Sequence, residues 1–396
     1  MNDMRSVIGE AVLACSLLGL VSSTVYLALV AVAARRFRAR RSARSRVANP
    51  RSGPPVSVLK PIYGAEPRLQ ECLESFFRLQ YQDFELVFAA RNLEDAAWDV
   101  VNALRRKYPG VRTQTIVCGE PVHPNAKVSA LERMVASAAF PYIVIADSDA
   151  RVSPDCLTRL VEPLLDPAVG LVTCLYRGVA TGGLCNRLEA QAMSVEMPSG
   201  VLVADMLEGI RFALGPAIAT RKDVIQMIGG IGVLGSYCAD DYVLGHLVHA
   251  AGKVVILSDE VIDHVVVNRS VADSLEHQMR WMRSTRFSRT WGHVGTGLTF
   301  AMPFGVLGLL AAGADGRWAL GVSLACWATA NRIVQCLMVG WRTLGDDEAL
   351  TWCWLYPMRD LLGFFIWCGS FLGAHIVWRG ERYELMPGGL MRALKS

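Results

Sequence analysis

Between residues 53 and 290, short apolar runs alternate with stretches whose apolar positions recur every three or four residues. Residues 56–59 read as a strand after Gly53-Pro54-Pro55. Leu69, Cys72, Leu73, Phe76 and Phe77 mark one face of a helix over 69–80. The pattern then predicts a strand at 84–90, a helix at 96–108, a strand at 113–118, a helix at 126–138 and a strand at 142–146. The last is almost entirely apolar, as a parallel strand buried on both faces should be. Repeated strand–helix–strand order predicts an α/β domain. Its sheet would be mostly parallel and covered by helices, with ligands bound at the carboxyl ends of the strands.

The flanks follow a different pattern. Residues 11–34 are 24 positions without a charge. As a helix they span about 36 Å, enough to cross a hydrocarbon core of about 30 Å. Arg35, Arg36, Arg38, Arg40, Arg41, Arg44 and Arg46 follow, which puts this side in the cytosol. Next to a membrane helix, the Arg35–Arg46 cluster suits anionic lipid headgroups rather than nucleic acid. A cleaved signal peptide would have a shorter apolar run, charges on its other side and a small-residue cleavage site. Three more apolar stretches come later, at 294–314, 318–341 and 350–378, with Arg332 inside the second and Arg359 and Asp360 inside the third. A charge at the centre of a spanning helix costs about 2.5–3.5 kcal/mol. These side chains should therefore face protein or headgroups, or mark a segment lying in the interface. Three crossings would leave the following tail outside and two would leave it inside. Arg379, Arg382, Arg392 and Lys395 favour inside. Residues 193–207 are apolar enough to lie on the membrane or to form a core helix. The expected partition is a spanning helix (1–34), a basic linker (35–52), a cytosolic domain (53–290), membrane or interfacial helices (291–378) and a short basic tail (379–396).

Composition agrees with this division. Of 396 residues, 52% are hydrophobic and 19% charged, and mean hydropathy is +0.31. An average soluble domain carries about a quarter charged residues. A disordered, collagenous or disulfide-stapled chain is excluded. Eleven cysteines include no CxxC pair, so neither a zinc site nor a disulfide framework is expected, and buried thiols in a reducing compartment are.

Candidate chemistry lies at the predicted ligand edge. The strand at 142–146 delivers Asp147-Ser148-Asp149, two carboxylates that loop geometry can aim at one Mg²⁺ or Mn²⁺. An ordinary strand-to-helix loop has the same composition. Asn125-Ala126-Lys127 opens a helix near that edge, where a lysine can pair with a diphosphate or remain solvated. Asp240-Asp241 follows a glycine-rich stretch, and one of the two could serve as a general base or as a helix cap. Beyond His277, residues Arg280, Arg283 and Arg286 share a helical face suited to phosphates or headgroups, or to a membrane-facing helix.

The segments 56–64 (VSVLKPIYG), Glu74-Ser75-Phe76-Phe77, Lys127-Val128-Ser129, Asp147-Ser148-Asp149, Ala239-Asp240-Asp241-Tyr242 and Arg280-Trp281 occur in the order seen in membrane-bound ceramide glucosyltransferases. The chain resembles that family over residues 53–290. The run from Gly170 to Gly178 is similar to bacterial hopanoid-biosynthesis glycosyltransferases of the same superfamily. The resemblance implies an A-type glycosyltransferase (GT-A) fold with a mixed, mostly parallel sheet. It would be flanked by one N-terminal and about three C-terminal membrane helices. It implies an inverting, multi-pass plasma-membrane enzyme with its domain in the cytoplasm. Such an enzyme moves a sugar from UDP-N-acetylglucosamine or UDP-glucose to a lipid hydroxyl, either a hopanoid polyol of the bacteriohopanetetrol type or ceramide. Asp147 and Asp149 would hold the metal. Lys60, Pro61, Lys127, Asp147 and His277 would serve the donor. Asp241 would be the base, with Asp240, Arg280 and Trp281 beside it.

Two positions depart from the family pattern. His277 stands where Gln or Arg is usual, and Asn92 stands at an early acidic position, leaving Glu94 or Asp95 to contact uridine. A processive polysaccharide synthase shares these carboxylates but normally has a larger membrane channel. A non-catalytic membrane scaffold would have no reason to keep them.

Overall fold

The computed structural model describes residues 2–44, 53–378 and 380–394. Chain order begins with α1 (Asn2–Arg44), β1 (Val56–Pro61), α2 (Leu69–Phe77), β2 (Phe84–Ala90), α3 (Ala97–Lys107), β3 (Arg112–Val117), α4 (Ala126–Ser137) and β4 (Tyr142–Ala146). Each predicted strand and helix of this half is present within a few residues. After the short β5 (Ala150–Arg151) and α5 (Cys156–Val161), the long β6 (Val169–Ala180) leads into α6 (Leu184–Gln191), one π-helical turn and α7 (Met197–Glu208). Then come β7 (Ala217–Arg221), α8 (Lys222–Met227), α9 (Asp240–Ala250), β8 (Val254–Val266) and α10 (Val271–Ser288).

These eight strands form one sheet in the order β3-β2-β1-β4-β7-β6-β8-β5. β1, β2, β3 and β4 run parallel, as do β6 and β8, while β7 is antiparallel to both β4 and β6. The sheet is thus mixed and mostly parallel, as expected. The carboxyl ends of β1, β2 and β4 share one edge. Helices cover both faces. Leu73, Phe76, Val101 and Leu160 fill one core, and Leu131, Leu202, Val224 and Leu244 fill the other.

α1 is one helix beyond its apolar part. Residues 35–44, expected as linker, continue the helix, and Ala33, Ala34 and Phe37 are buried in the second core. Three of its arginines bond to protein. Arg38 donates to Thr343 Oγ1 at 3.0 Å, Arg41 to the Thr343 carbonyl at 3.5 Å, and Arg40 pairs with Asp205 at 2.6 Å. Arg35 and Arg36 are exposed. Arg46 and the side chain of Arg44 lie outside the described residues.

Downstream lie α11 (Thr290–Thr296), α12 (Met302–Ala314), α13 (Trp318–Cys336), α14 (Asp347–Thr351) and α15 (Tyr356–Ser370). By length and composition, 7–43 and 318–341 are long and apolar enough to cross a membrane, and Met302–Ala314 is a shorter apolar helix. Small residues let these helices approach closely. A Cβ on Gly313 would lie 2.9 Å from the Trp318 ring, and one on Gly321 would lie 3.0 Å from the Leu309 carbonyl oxygen.

Two expected spans are interrupted. The 294–314 stretch breaks between α11 and α12, where the Asp360 carboxylate accepts from the Ala301 and Met302 amides at 3.0 and 2.8 Å. The 350–378 stretch is α14, a short 3₁₀ turn, α15 and then strand β9 (His375–Trp378). Its charges explain themselves locally. Asp360 pairs with buried Arg332 at 3.1 Å, and Arg359 pairs with Glu196 at 2.9 Å. The apolar 193–207 segment is mainly a core element, with Met193, Val195, Val201 and Leu202 buried.

Residues 379–396, expected as a tail, carry β10 (Glu381–Met386) and β11 (Leu390–Ala393). With β9 they form an antiparallel three-stranded sheet in the order β11-β10-β9. The alternating residues Ile376, Tyr383, Leu385 and Met391 bury one face with Cys238. Alternation this short, next to an apolar helix, is a weak strand signal.

Candidate active site

β4 ends at Ala146, and the chain turns sharply there. The Asp147 amide donates to the Pro216 carbonyl at 3.2 Å, and the Asp147 carbonyl accepts from the Ala150 amide at 3.2 Å. Lys60, fully buried on β1, donates its Nζ to the same Asp147 carbonyl while sitting 3.8 Å above the Phe76 ring. Burial pushes its pKa down to about 8. Lys60 therefore fixes the turn that carries the carboxylates, rather than reaching out as a donor ligand. Pro61 closes β1 opposite Ala89 of β2.

Lys127 lies in the first turn of α4. Asn125 caps that helix, its Oδ1 accepting from the Lys127 and Val128 amides at 3.0 and 3.3 Å. Lys127 Nζ lies 2.6 Å from Asp147 Oδ1 and 3.7 Å from Asp240 Oδ2. Burial opposes its charge, but Asp147 and then Asp240 outweigh that and hold its pKa above the ordinary lysine value.

Asp240 and Asp241 occupy the first turn of α9, where the helix dipole favours acids. Asn125 Nδ2 donates to Asp240 Oδ1 at 3.3 Å and to the Tyr237 carbonyl at 3.0 Å. Burial, followed by the like charge of Asp240, pushes the Asp241 pKa up to about 6. Gly215 separates the two halves. A Cβ there would lie 3.0 Å from Asp241 Oδ2 and 3.5 Å from Asp147 Oδ2. Asp147, Asp240 and Asp241 thus gather around Lys127 at the edge predicted for ligands. The sequence does not reveal that Lys127 bridges the two acidic motifs.

Asp149 faces another way. Its Oδ2 lies 3.5 Å from His264 Nε2, while its Oδ1 is buried with no partner, as is His264 Nδ1. A buried carboxylate oxygen without a partner, next to an imidazole nitrogen, suits a divalent cation. Among the described residues no three His, Cys, Asp or Glu side chains cluster as a full metal cage. Mg²⁺ and Mn²⁺ need few protein ligands when phosphate oxygens and water complete the shell. His264 was missed because its partner is distant in sequence. It sits opposite Ala150 in the β5–β8 pairing, so the strand after Asp149 brings it close. The visible hint is weak, because β8 carries Ser258, Asp259 and Glu260 as well as Asp263-His264 among its apolar residues.

The remaining candidates diverge. Asp95 Oδ1 accepts from the Gly64 and Ala97 amides at 2.8 and 2.9 Å, tying together the loops after β1 and β2. Glu94 and Asn92 are exposed. His277 bonds through Nδ1 to Glu189 Oε1 at 2.7 Å, and its ring lies 4.1 Å from that of Trp281. Glu189 is fully buried and also accepts from Ser274 and Asn268. Burial holds the His277 pKa below the usual histidine value. The three arginines of the expected row are part-buried, and each contacts protein. Arg280 lies over the Trp378 ring at 5.5 Å, Arg283 donates to the Leu372 and His375 carbonyls, and Arg286 to the Ser370 and Gly373 carbonyls.

Comparison with known proteins bears on the fold and the family. The mannosyltransferase PcManGT from Pyrobaculum calidifontis, solved with GDP-Man and Mn²⁺, superposes with a TM-score of 0.54 at 17% identity, covering 88% of this chain and 98% of that one. That match supports the GT-A fold. Ceramide glucosyltransferase 1 of Caenorhabditis elegans is 26% identical over 353 residues, 87% of this chain and 74% of the relative. Ceramide glucosyltransferase 3 of the same organism is 27% identical over 231 residues, 58% of this chain and 50% of the relative. The model of glycosyl transferase family 21 matches residues 17–391, from within α1 to β11. A match of that extent, on a sheet that brings its acidic motifs to one edge, makes this chain a glycosyltransferase of family 21.

Proposed function

We propose that the enzyme transfers a hexose from a UDP-sugar to the hydroxyl of a membrane lipid with inversion at the anomeric carbon. The observation that carries this reading is the gathering of Asp147, Asp240 and Asp241 around Lys127 at the end of β4. Asp241, with a pKa near 6, is ionised at neutral pH and takes the acceptor's proton as its oxygen attacks the anomeric carbon. The bond to the diphosphate breaks, and its electrons leave with UDP. Lys127 exchanges part of its contact with Asp147 for the diphosphate, and Arg280 approaches from α10. Asp149 and His264 would hold Mg²⁺ or Mn²⁺, which when bound offsets negative charge on the leaving group.

A lipid acceptor agrees with the flanking helices. Lifting each CH₂ out of the bilayer costs about 0.8 kcal/mol, so a site at the membrane surface needs only the hydroxyl to emerge. With exposed Arg35 and Arg36 toward anionic lipids, the sheet domain would face the cytoplasm, and the two long apolar helices suit a multi-pass enzyme of the plasma membrane. Ceramide is the acceptor favoured by the names of the relatives. A hopanoid polyol is the second reading, on the likeness of residues 170–178 to hopanoid enzymes.

The test is incubation of membranes with labelled UDP-glucose and UDP-N-acetylglucosamine, with ceramide or a hopanoid polyol added, followed by mass analysis of the lipid extract. A hexosyl lipid that disappears in Asp241→Asn is expected. Label found only in a water-soluble polymer would defeat the lipid acceptor and favour a synthase. Activity unaffected by EDTA would defeat the metal assignment.

A further inference from the structure

The sheet β9–β11 touches the loop before the acidic pair, the residue before the cap of α4, and Arg280 of α10. Its edge pairs with the loop before the acidic pair. The Met391 amide donates to the Ser236 carbonyl at 2.8 Å, Tyr237 bridges Leu390, and the Cys238 amide donates to the Gly389 carbonyl at 3.2 Å. That loop leads directly to Asp240 and Asp241. It also accepts from Asn125, whose amide donates to the Gly235 carbonyl at 2.9 Å. On β10, the Tyr383 hydroxyl reaches the Pro124 carbonyl at 3.3 Å, one residue before the cap of the Lys127 helix, and bonds Glu381 at 2.6 Å. On β9, the Trp378 ring lies under the Arg280 guanidinium. Arg280 in turn bonds the Cys238 thiol, opposing the upward push of burial on its pKa. At the turn before β11, Gly389 has φ +83° and lies so close to Ser288 of α10 that a Cβ would collide with its side chain.

We propose that this sheet is a clamp that positions the catalytic groups, with Trp378 and Tyr383 as its positioning residues. Trp378 holds Arg280 at the height of the acidic loop, ready for the diphosphate. Tyr383 fixes the strand of chain that sets Asn125, and through it both Lys127 and the 235–241 loop. A merely structural sheet would need neither a cation over its tryptophan nor a hydroxyl on a site loop. Apolar residues at both positions would fill the same core. The proposal rests on the donor role given to Arg280 and Lys127 above, so its test includes a readout that needs no acceptor.

The full-length protein in lipid vesicles, carrying Trp378→Ala, Trp378→Phe or Tyr383→Phe, is titrated with UDP in the presence of Mn²⁺. It is then assayed for hexosyl transfer and followed by thermal melting. Trp378→Ala should weaken UDP binding about five- to tenfold, while Trp378→Phe, which keeps a ring under the cation, should stay within about twofold of the parent. Tyr383→Phe should lower kcat about threefold to tenfold and leave donor KM and UDP affinity nearly unchanged. Parent-like UDP binding in Trp378→Ala overturns the proposal. So does an equal loss in the Ala and Phe variants that tracks a fall in melting temperature. If the parent binds UDP but glycosylates no lipid, the functional reading fails, while the UDP comparison still decides the clamp.

Discussion

Asp241 is a carboxylate whose surroundings oppose its charge. Burial and Asp240 raise its pKa to about 6, so the fraction able to accept a proton grows as pH rises through that value. The transfer rate should show an acid limb near pH 6. Replacing Asp240 by Asn removes the like charge and should move that limb to lower pH, while also costing Lys127 one partner. A pH–rate profile of both proteins measures the shift, and an unmoved limb would assign it to another group. Lys60 acts at a distance, through the Asp147 carbonyl. Lys60→Met should lower kcat by about tenfold to a hundredfold, with donor KM little changed, because a small displacement of the DSD turn misaligns its carboxylates. Steady-state kinetics at saturating donor checks this. At this scale the sequence was informative wherever a charged residue ends a strand or opens a helix, as at Asp147, Lys127 and Asp241. It was silent where the partner is distant. His264 meets Asp149 only through β5–β8 pairing, and Glu189 meets His277 only after α6 packs near α10.

Elements tell a similar story about charge. Arg332, Arg359 and Asp360 look like errors in apolar spans, yet each has a partner that explains it. Asp360 pairs with Arg332 and accepts from the first amides of α12, so the break before that helix and the charge inside α15 have one cause. Asp360→Ala should destabilise the protein by about 3–5 kcal/mol, because it strands a buried guanidinium. A double variant, Arg332→Met with Asp360→Leu, should lose less than the single one. Thermal melting in detergent gives the comparison. The arginine row of α10 was readable as a row, but not as a set of caps on the carbonyls after α15. Periodicity fixes which residues share a face, not what packs against it. The β9–β11 sheet escaped because its strands are four to six residues long and follow an apolar helix.

In the whole molecule, the alternating pattern of residues 53–146 sufficed for the parallel half of the sheet, since each of β1, β2 and β3 is followed by a helix. The antiparallel insertion of β7 between β4 and β6 was not legible, because pairing order depends on contacts made across the whole domain. Nor was the continuity of α1, whose last three turns look like a charged linker while Phe37 is 1% exposed. Phe37→Ala should cost about 3–5 kcal/mol and lower the melting temperature of the sheet domain, although its position lies next to an apolar helix. A variant that melts like the parent would mean the helix is only tethered to the domain. The same continuity joins the apolar helix and the sheet domain into one body, which suits the proposed transfer to a hydroxyl at a bilayer surface.

The pairing of β11 with residues 236–238 has a consequence for how the protein is made. The ribosome delivers the DSD turn, Lys127 and both acids of α9 long before it delivers β11, and the apolar helices α12 and α13 emerge in between. A nascent copy that still lacks β11 therefore has all its acidic motifs, yet leaves the loop ahead of Asp241 unfastened. If, as proposed, the acceptor is a membrane lipid, transfer would begin only after the last strand is docked, so partial copies would leave the bilayer unmodified.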